Sequence, residues 1–345
     1  MHYSPLPWNL ININCLLWQN VVMRAWYIGI KIYITSTSDL WICAVNDLPS
    51  TTNHISLPTL FADDTNIICT HSNYNKFKEE IETILQHTDK WFEANSLTLN
   101  LKKTNFVQFS AKHTQKALTS IDYKENYILN TNSTSFLGLI LDDAQSWGPH
   151  INQLCSKLKS ACYVLRTLAP FLTQQNMKTI YFSYFHSVMT YGIIFGGNSA
   201  DRENVFKLQK RTIRIITNSS NRTSCRGLFQ KLGILPVQSQ YILSLALFVI
   251  KNMEKFTTNS DIHTKNTRNK SNLHVPQSRL TKYQKGVYFA GIKIFNYLPQ
   301  NIKKISGDIN KFKRELKKFL LLGSFYSIEE FFDWTSFKNL YALYL

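Results

Sequence analysis

The chain has 345 residues, 44% of them hydrophobic, and its 39 lysines and arginines outnumber 22 acids to give a formal charge of +17. A chain of this length and composition can bury a sizeable core in more than one domain, which excludes an intrinsically disordered protein. The positive excess favours a polyanionic partner, either nucleic acid or an anionic membrane.

Several classes of protein are disfavoured by what the sequence lacks. No apolar run reaches the roughly 18 to 20 residues that span a bilayer. The six cysteines contain no Cys-x-x-Cys pair, so we expect them to pack as small apolar residues rather than to bind zinc. The N-terminus is interrupted by amides, and its early basic residue is Arg24, which makes a poor signal peptide. We therefore expect an intracellular protein, nuclear or cytoplasmic, with no membrane partner.

In chain order, residues 27–34 predict a strand and residues 35–38 a loop, and an apolar helix over residues 39–45 is expected to end at Pro49. Strand-forming runs at residues 55–60 and 65–70 then flank Asp63 and Asp64, which predicts a β-hairpin with both acids at its tip. Pro58 puts the first of these strands at an edge or a bulge.

Adjacent carboxylates repel each other unless a cation holds them, and Mg²⁺ is bound by a few carboxylates together with substrate phosphates. The Asp63-Asp64 tip therefore suggests metal-assisted phosphoryl chemistry. The alternative is a solvated turn, where Asp is common because it hydrogen-bonds its own backbone.

Further along, residues 75–94 carry apolar positions three and four apart and predict an amphipathic core helix. Residues 97–101 and 106–109 predict half-buried strands, with Lys103 between them. Residues 135–141 predict a strand or hairpin, and the second doublet, Asp142-Asp143, is assigned to a turn.

The rest of the chain is mainly helical in pattern. Residues 150–198 carry two apolar stripes divided by Pro170, and residues 238–253 predict a buried helix. A helix over residues 203–217 is expected to bury Val205, Leu208, Thr212 and Ile215. Its other face gathers four cations, Lys207, Lys210, Arg211 and Arg214. Nucleic-acid backbone contact is the favoured interpretation of these cations, and a solvated face is the alternative.

Taken together, these segments resemble the reverse transcriptase of a non-LTR (LINE, jockey-like) retrotransposon. Phe61-Ala62-Asp63-Asp64 is similar to the aromatic-Ala-Asp-Asp box of that family. The other similar segments follow in the family's order: Asn46-Asp47-Leu48-Pro49, Trp91-Phe92, residues 95–100, Lys103-Thr104, Phe136-Leu137-Gly138, residues 147–151 and Tyr191-Gly192-Ile193. The resemblance covers about residues 40 to 319, and the first 39 residues take no part in it.

The resemblance implies an α+β fold, in which a partial reverse-transcriptase palm, a small antiparallel sheet with packed helices, is followed by a mainly helical thumb and C-terminal region. The expected divisions are a non-matching segment (1–39), the palm (40–145), the thumb (146–200), a basic helical region (201–256), a polar linker (257–278) and a C-terminal helical segment (279–345).

The same resemblance implies roles for individual residues. Asp63 would ligate Mg²⁺ or Mn²⁺ and Asp64 would support it. Lys103 would lie near the incoming triphosphate, although a solvated loop lysine is an equal alternative. A primer-grip hairpin would hold the primer end through Phe136, Leu137 and Gly138, and a plain strand is the alternative. The implied partners are an RNA template, a DNA primer and a deoxynucleoside triphosphate.

Two parts of the family's site are missing from the sequence. A Gly-x-x-Gln-Gly-Ser segment is absent, as is an upstream aspartate that would share both metals with Asp63. We therefore expect weak metal binding at most and little or no polymerisation, as in a 5′-truncated or wrongly started copy of a retrotransposon reading frame. The alternatives are a non-catalytic nucleic-acid-binding module and a helical scaffold protein.

Overall fold

The structure is a computed structural model that describes residues 26–32, 34–35, 47–61, 64–71, 73–109, 119–262 and 269–341. It is an α+β protein, as expected, with small antiparallel sheets in the first part of the chain and helices in the second. The chain divides into two compact units, Met1–Pro149 and His150–Leu345. The predicted helix over residues 39–45 lies outside the described residues.

In its described residues, the first unit combines short strands with two helices. The helices are α1 (Leu48–Thr52) and α2 (Tyr74–Ala94). The strands are β1 (Trp26–Ile32), β2 (Ile34–Thr35), β3 (Leu57–Phe61), β4 (Asp64–His71), β5 (Thr98–Leu99), β6 (Asn105–Phe109), β7 (Ser120–Tyr123), β8 (Asn126–Leu129), β9 (Ser133–Phe136) and β10 (Leu139–Asp142).

A four-stranded sheet with the order β3-β4-β1-β6 forms the centre of this unit, and all three pairings are antiparallel. The predicted strand near residue 27 is confirmed as β1, which joins β4 to β6. Strand β3 lies at the edge of the sheet, as predicted from Pro58, because an edge strand tolerates a residue that has no N–H to donate to a ladder. Thr35, expected in a loop, instead pairs with Thr98 in the small β2–β5 ladder.

Helix α2 covers this sheet and confirms the predicted apolar stripe. Its buried residues are Phe77, Ile81, Ile84, Leu85, Thr88, Trp91 and Phe92, which form one core with Ile67, Cys69 and Phe106 of the sheet. The helix begins cleanly because the Asn73 side chain accepts hydrogen bonds from the backbone of Asn75 (2.9 Å) and Lys76 (3.3 Å).

One expectation for the first unit is wrong, and another is untested. Pro49 stands in the first turn of α1, where a missing N–H costs nothing, and the helix it was expected to end lies outside the described residues. Strand β6 is not half-buried, because Phe106, Val107, Gln108 and Phe109 are all buried. The chain that follows β8 packs on this edge, and Thr131 donates its backbone N–H to the Phe106 carbonyl (2.8 Å).

The second unit is helical. Its helices are α3 (Gly148–Leu168), α4 (Gln174–Ile180), α5 (Ser187–Thr190), α6 (Ile193–Gly196), α7 (Arg202–Ile216), α8 (Arg226–Leu232), α9 (Val237–Lys251), α10 (Asn259–Ile262), α11 (Thr281–Lys285), α12 (Val287–Tyr297), α13 (Gln300–Lys303), α14 (Ile309–Gly323) and α15 (Ile328–Tyr341). A π-helical segment, Tyr181–His186, joins α4 to α5.

Helix α9 is the core of this unit, which confirms the predicted buried helix. It is buried on nearly every face and packs against α12, α14 and α6. Within the described residues, no helix by itself has the length and apolarity to cross a bilayer; the pair α8 and α9, bent by 53°, meets that test only when the two are taken together.

Two predicted faces are wrong in detail. Tyr184 was expected in the buried stripe of the second helical run together with Tyr181 and Phe185, but it is exposed. The i→i+5 hydrogen bonding of the π-helical segment brings His186 inward beside Phe185 in its place. On α7 the buried face is rotated toward Phe206, Gln209 and Ile213, so that Leu208 and Ile215 are only partly buried.

The polar stretch predicted as a linker is partly anchored. Leu273 is buried, and the Asn296 side-chain amide holds it twice: Nδ2 donates to the Leu273 carbonyl (2.8 Å) and Oδ1 accepts from its N–H (2.9 Å). Residues 263–268 of this stretch lie outside the described residues.

Candidate functional site

The predicted hairpin around the acid doublet is present in the first unit. Strands β3 and β4 are antiparallel, and Phe61 pairs with Asp64, with two residues between them. Thr59 in β3 and Thr65, Ile67 and Ile68 in β4 are β-branched residues that favour extended strands before and after the doublet. Asp64 is the first residue of β4, and Asp63 lies outside the described residues.

The sheet register brings a second predicted site residue to the same end of the sheet. Ile32, the last residue of β1, pairs with Thr65 at the start of β4, and Lys31 pairs with Asn105 at the start of β6. Lys103 stands two residues before β6, in a turn where its N–H donates to the Asn100 carbonyl (3.1 Å). Since β1 is the only strand between β4 and β6 in the sheet order, their ends are about 10 Å apart.

The strand beside the acid hairpin brings no acid to this edge. The sequence of β1 is WYIGIKI, which holds a lysine and no carboxylate. Among the described residues, no group of three His, Cys, Asp or Glu side chains is arranged to hold a metal ion. The doublet offers hard oxygen donors that fit Mg²⁺ or Mn²⁺, but β1 does not complete a two-metal clamp.

Two buried polar atoms lie next to the hairpin tip. Among the described residues, the hydroxyl of Thr65 and the side-chain Nδ2 of Asn66 find no hydrogen-bond partner. Each such group costs about 1–3 kcal/mol. Buried polar atoms of this kind also occur elsewhere in the described chain, so they do not by themselves identify a site.

Strands β9 and β10 form the hairpin that was predicted as a primer grip. Leu137 (φ +47°) and Gly138 (φ +76°) make its two-residue turn, and both angles lie in the left-handed region. This is the geometry of a tight hairpin turn, so Gly138 is required by the turn itself. Gly138 is exposed, whereas Phe136, the last residue before the turn, is buried.

The second acid doublet lies in a turn, as predicted. Asp142 is buried, and its carboxylate accepts hydrogen bonds from the backbone of Ser146 (2.8 Å) and Trp147 (2.9 Å). Asp143 accepts a hydrogen bond from the backbone of Ala144 (2.7 Å). The Asp142 carboxylate is therefore committed to the turn that leads into α3.

The four cations that were predicted to gather on α7, Lys207, Lys210, Arg211 and Arg214, lie in the second unit and divide into two pairs. Lys210 and Arg214 are partly used inside the protein: the Lys210 ammonium lies 4.4 Å from the Phe206 ring centroid, and Arg214 donates to the Thr223 carbonyl (2.9 Å). Lys207 and Arg211 are exposed, and neither forms an ion pair with a described residue. These two are the cations of α7 that are available to a polyanion.

An exposed aromatic residue on α3 was missed by the sequence analysis. Tyr163 is 71% exposed, on the face opposite the buried stripe of Leu158, Cys162 and Leu165. The signal was available in the sequence, because Tyr163 follows Lys159 by four residues and precedes Arg166 by three, which puts an aromatic ring on a basic helix face.

A cleft of about 360 Å³ lies between α2 and the β7–β8 hairpin. Its polar groups are paired with one another. Tyr123 donates its hydroxyl to Asp89, and Lys124 forms ion pairs with Asp89 (3.0 Å) and Glu93 (3.2 Å). The side chains of Tyr123, Lys124 and Asp89 therefore already have partners within the protein.

The described cysteines fit the structural role that was predicted for them. Cys69, Cys155, Cys162 and Cys225 are free and buried. Burial raises the pKa of the Cys162 thiol, and also that of Cys155 and Cys225, so these sulfurs stay protonated near neutral pH and are poor metal ligands.

Comparisons of the chain with protein-family models, with curated proteins and with solved structures gave no match. The proposed family therefore rests on the sequence resemblance carried by the segments around Phe61 and Asp64.

Proposed function

We propose that the chain carries the catalytic hairpin, the thumb and the C-terminal region of an RNA-directed DNA polymerase, the reverse transcriptase of a non-LTR retrotransposon. Its partners in this proposal are an RNA template, a DNA primer and a deoxynucleoside triphosphate. By itself the chain binds them without extending the primer.

The observation that carries this proposal is the common edge of the sheet. Three features that are far apart in sequence belong to one end of it: the start of β4, which the acid doublet leads into, the end of β1, and the start of β6, which Lys103 precedes by two residues. Acids and a lysine next to strand ends about 10 Å apart suit a triphosphate, because the acids can hold a metal ion while the lysine neutralises phosphate charge.

The lack of turnover follows from β1. When bound, a pair of divalent ions would activate the primer hydroxyl and neutralise the triphosphate, and both ions need carboxylates from more than one strand. Asp63 and Asp64 would supply one side of that clamp. Since β1 supplies no acid beside them, Mg²⁺ or Mn²⁺ is held weakly and the chain positions its partners without catalysing the transfer.

A primer-extension assay tests this proposal. The full chain is incubated with an RNA template, a DNA primer, deoxynucleoside triphosphates and Mg²⁺ or Mn²⁺, in parallel with Asp63→Ala. We expect no extension by either protein. Extension by the unmodified chain that disappears in Asp63→Ala would show that the clamp is complete and that the inactive assignment is wrong.

A second candidate, a nucleic-acid-binding module without polymerase ancestry, is favoured by the exposed Lys207 and Arg211 of α7. Phosphate contacts release counterions, so affinity should fall steeply with salt. Filter binding of an RNA–DNA hybrid between about 50 and 200 mM salt measures this slope. If the chain derives from a polymerase, Asp63→Ala should also weaken the metal-dependent part of binding. If it is a binding module without that ancestry, Asp63→Ala should leave binding unchanged.

A further inference from the structure

We propose that the crossing of α3 and α7 binds single-stranded nucleic acid, with one unpaired base stacked on Tyr163 and the adjoining phosphates held by Arg166 and Arg211. The inference rests on the proposed nucleic-acid partner and adds its form and the residue that contacts a base.

The two helices are fixed against each other at a defined point. Cys162 of α3 lies 2.9 Å from the hydroxyl of Thr212 of α7, sulfur to oxygen, and its thiol also reaches the Leu208 carbonyl (3.8 Å). Tyr163 is the next residue after Cys162, and Arg211 is the residue before Thr212. Both side chains are exposed, next to the contact that joins the two helices.

Charge at this crossing is of one sign. Helix α3 contains Lys157, Lys159 and Arg166 and no acid, and α7 contains five cations against Glu203 alone. Arg166 and Arg211 both act electrostatically on the Cys162 thiol, which places the two guanidinium groups around the crossing. Neither forms an ion pair with a described residue, and Asp201 lies toward Cys155 instead.

An exposed aromatic ring among unpaired cations is the combination that binds single strands. Cations track the phosphates, and a base without a pairing partner stacks on the ring. Tyr163 is 71% exposed and makes no ring contact with another aromatic residue of the described chain, so its ring is accessible to a base. A duplex keeps its bases stacked inside, so it offers no free base to the ring. A bilayer would need a wider apolar face than one ring between Lys159 and Arg166.

Fluorescence anisotropy with a labelled single-stranded 12-nucleotide RNA tests the proposal on the full chain. Base stacking contributes about 1–3 kcal/mol, so Tyr163→Leu should weaken binding by about 5- to 140-fold, whereas Tyr163→Phe should keep most of it. Tyr127→Leu is the matched control, because Tyr127 is 65% exposed and lies in the other unit. It should leave binding unchanged.

Two further measurements separate base from phosphate contacts. An abasic 12-mer should bind the unmodified chain as weakly as the normal RNA binds Tyr163→Leu. Arg211→Gln should reduce the slope of log affinity on log salt by about 0.7, the value for one phosphate of a single strand.

The outcomes distinguish this inference from the proposed function. Equal binding of RNA by the unmodified chain and Tyr163→Leu would overturn the inference and leave nucleic-acid binding intact. An equal loss in Tyr127→Leu would overturn it too, as would binding of phosphatidylserine vesicles that depends on Tyr163 while RNA binding does not. No binding of any nucleic acid would overturn both.

Discussion

The buried amide of Gln209 should hold together three elements of the helical unit. Gln209 is 0% exposed. Its Nε2 donates to the Tyr181 hydroxyl (2.9 Å) and to the Leu235 carbonyl (2.9 Å), and its Oε1 accepts from the Val237 N–H at the start of α9 (2.8 Å). Gln209→Leu keeps the approximate volume and removes all three bonds.

The expected loss follows from what the substitution leaves behind. Three buried polar groups lose their partner, and each costs about 1–3 kcal/mol. We therefore expect Gln209→Leu to lower the free energy of unfolding by at least about 3 kcal/mol. Adding Tyr181→Phe removes one of the stranded groups and should recover about 1 kcal/mol, so the two substitutions are not additive.

Gln238 provides a control, because its substitution should not lower the free energy of unfolding. It is 1% exposed, and neither Nε2 nor Oε1 has a hydrogen-bond partner in the part of the chain that the structure describes. Gln238→Leu should therefore leave stability unchanged or raise it. Urea unfolding followed by circular dichroism measures both variants. The reasoning fails if Gln209→Leu costs less than about 0.5 kcal/mol, or if the two substitutions change stability by the same amount.

Two other perturbations test the packing around the proposed sites. Burial, with a smaller effect from the Lys317 charge, lowers the pKa of His186 from 6.5 to about 4. Between these pH values the unfolded chain binds a proton at His186 that the folded chain does not. About 3 kcal/mol of stability is therefore lost as pH falls from 6.5 to 4. His186→Gln should flatten that part of a plot of unfolding free energy against pH. Asp142→Ala should cost about 1–3 kcal/mol in thermal unfolding, because the buried N–H of Trp147 and the partly buried N–H of Ser146 lose their acceptor. Asp143→Ala should cost less, and equal losses would contradict the turn described here.

Local patterns in the sequence predicted the local structure well. The stripe of α2 follows from apolar residues at helical spacing from Phe77 to Phe92, and the β3–β4 hairpin follows from strand-forming runs around the acid doublet. The turn at Asp142 was also predicted. In each case residues close in sequence determine the structure.

What the sequence did not predict depends on contacts between distant residues. Strand β1 lies at the centre of the sheet because Trp26 pairs with His71 and Tyr27 with Phe109, and no local pattern contains that information. The buried face of α7 is rotated because the polar Gln209 finds partners inside the unit. Neither the position of β1 nor a buried glutamine can be derived from hydrophobic periodicity.

The same limit applies to the candidate site. Asp63 and Asp64 were identified from their position between two strand-forming runs and Lys103 from similarity to a family, whereas the common end of β4, β1 and β6 comes from strand register. Tyr163 was not predicted, because hydrophobic periodicity identifies the buried stripe of α3 and not its exposed face, although an aromatic residue between Lys159 and Arg166 is visible in the sequence.

The central claim is that the first acid doublet holds a divalent cation weakly, because the neighbouring strand contributes no acid. Titration of the full chain with Mn²⁺, followed by electron paramagnetic resonance, measures this directly. We expect one site with a dissociation constant on the order of millimolar. It should be lost in Asp63→Asn and retained in Asp143→Asn. Mn²⁺ binding that survives Asp63→Asn, or that is a thousandfold tighter than about 1 mM, would contradict the account.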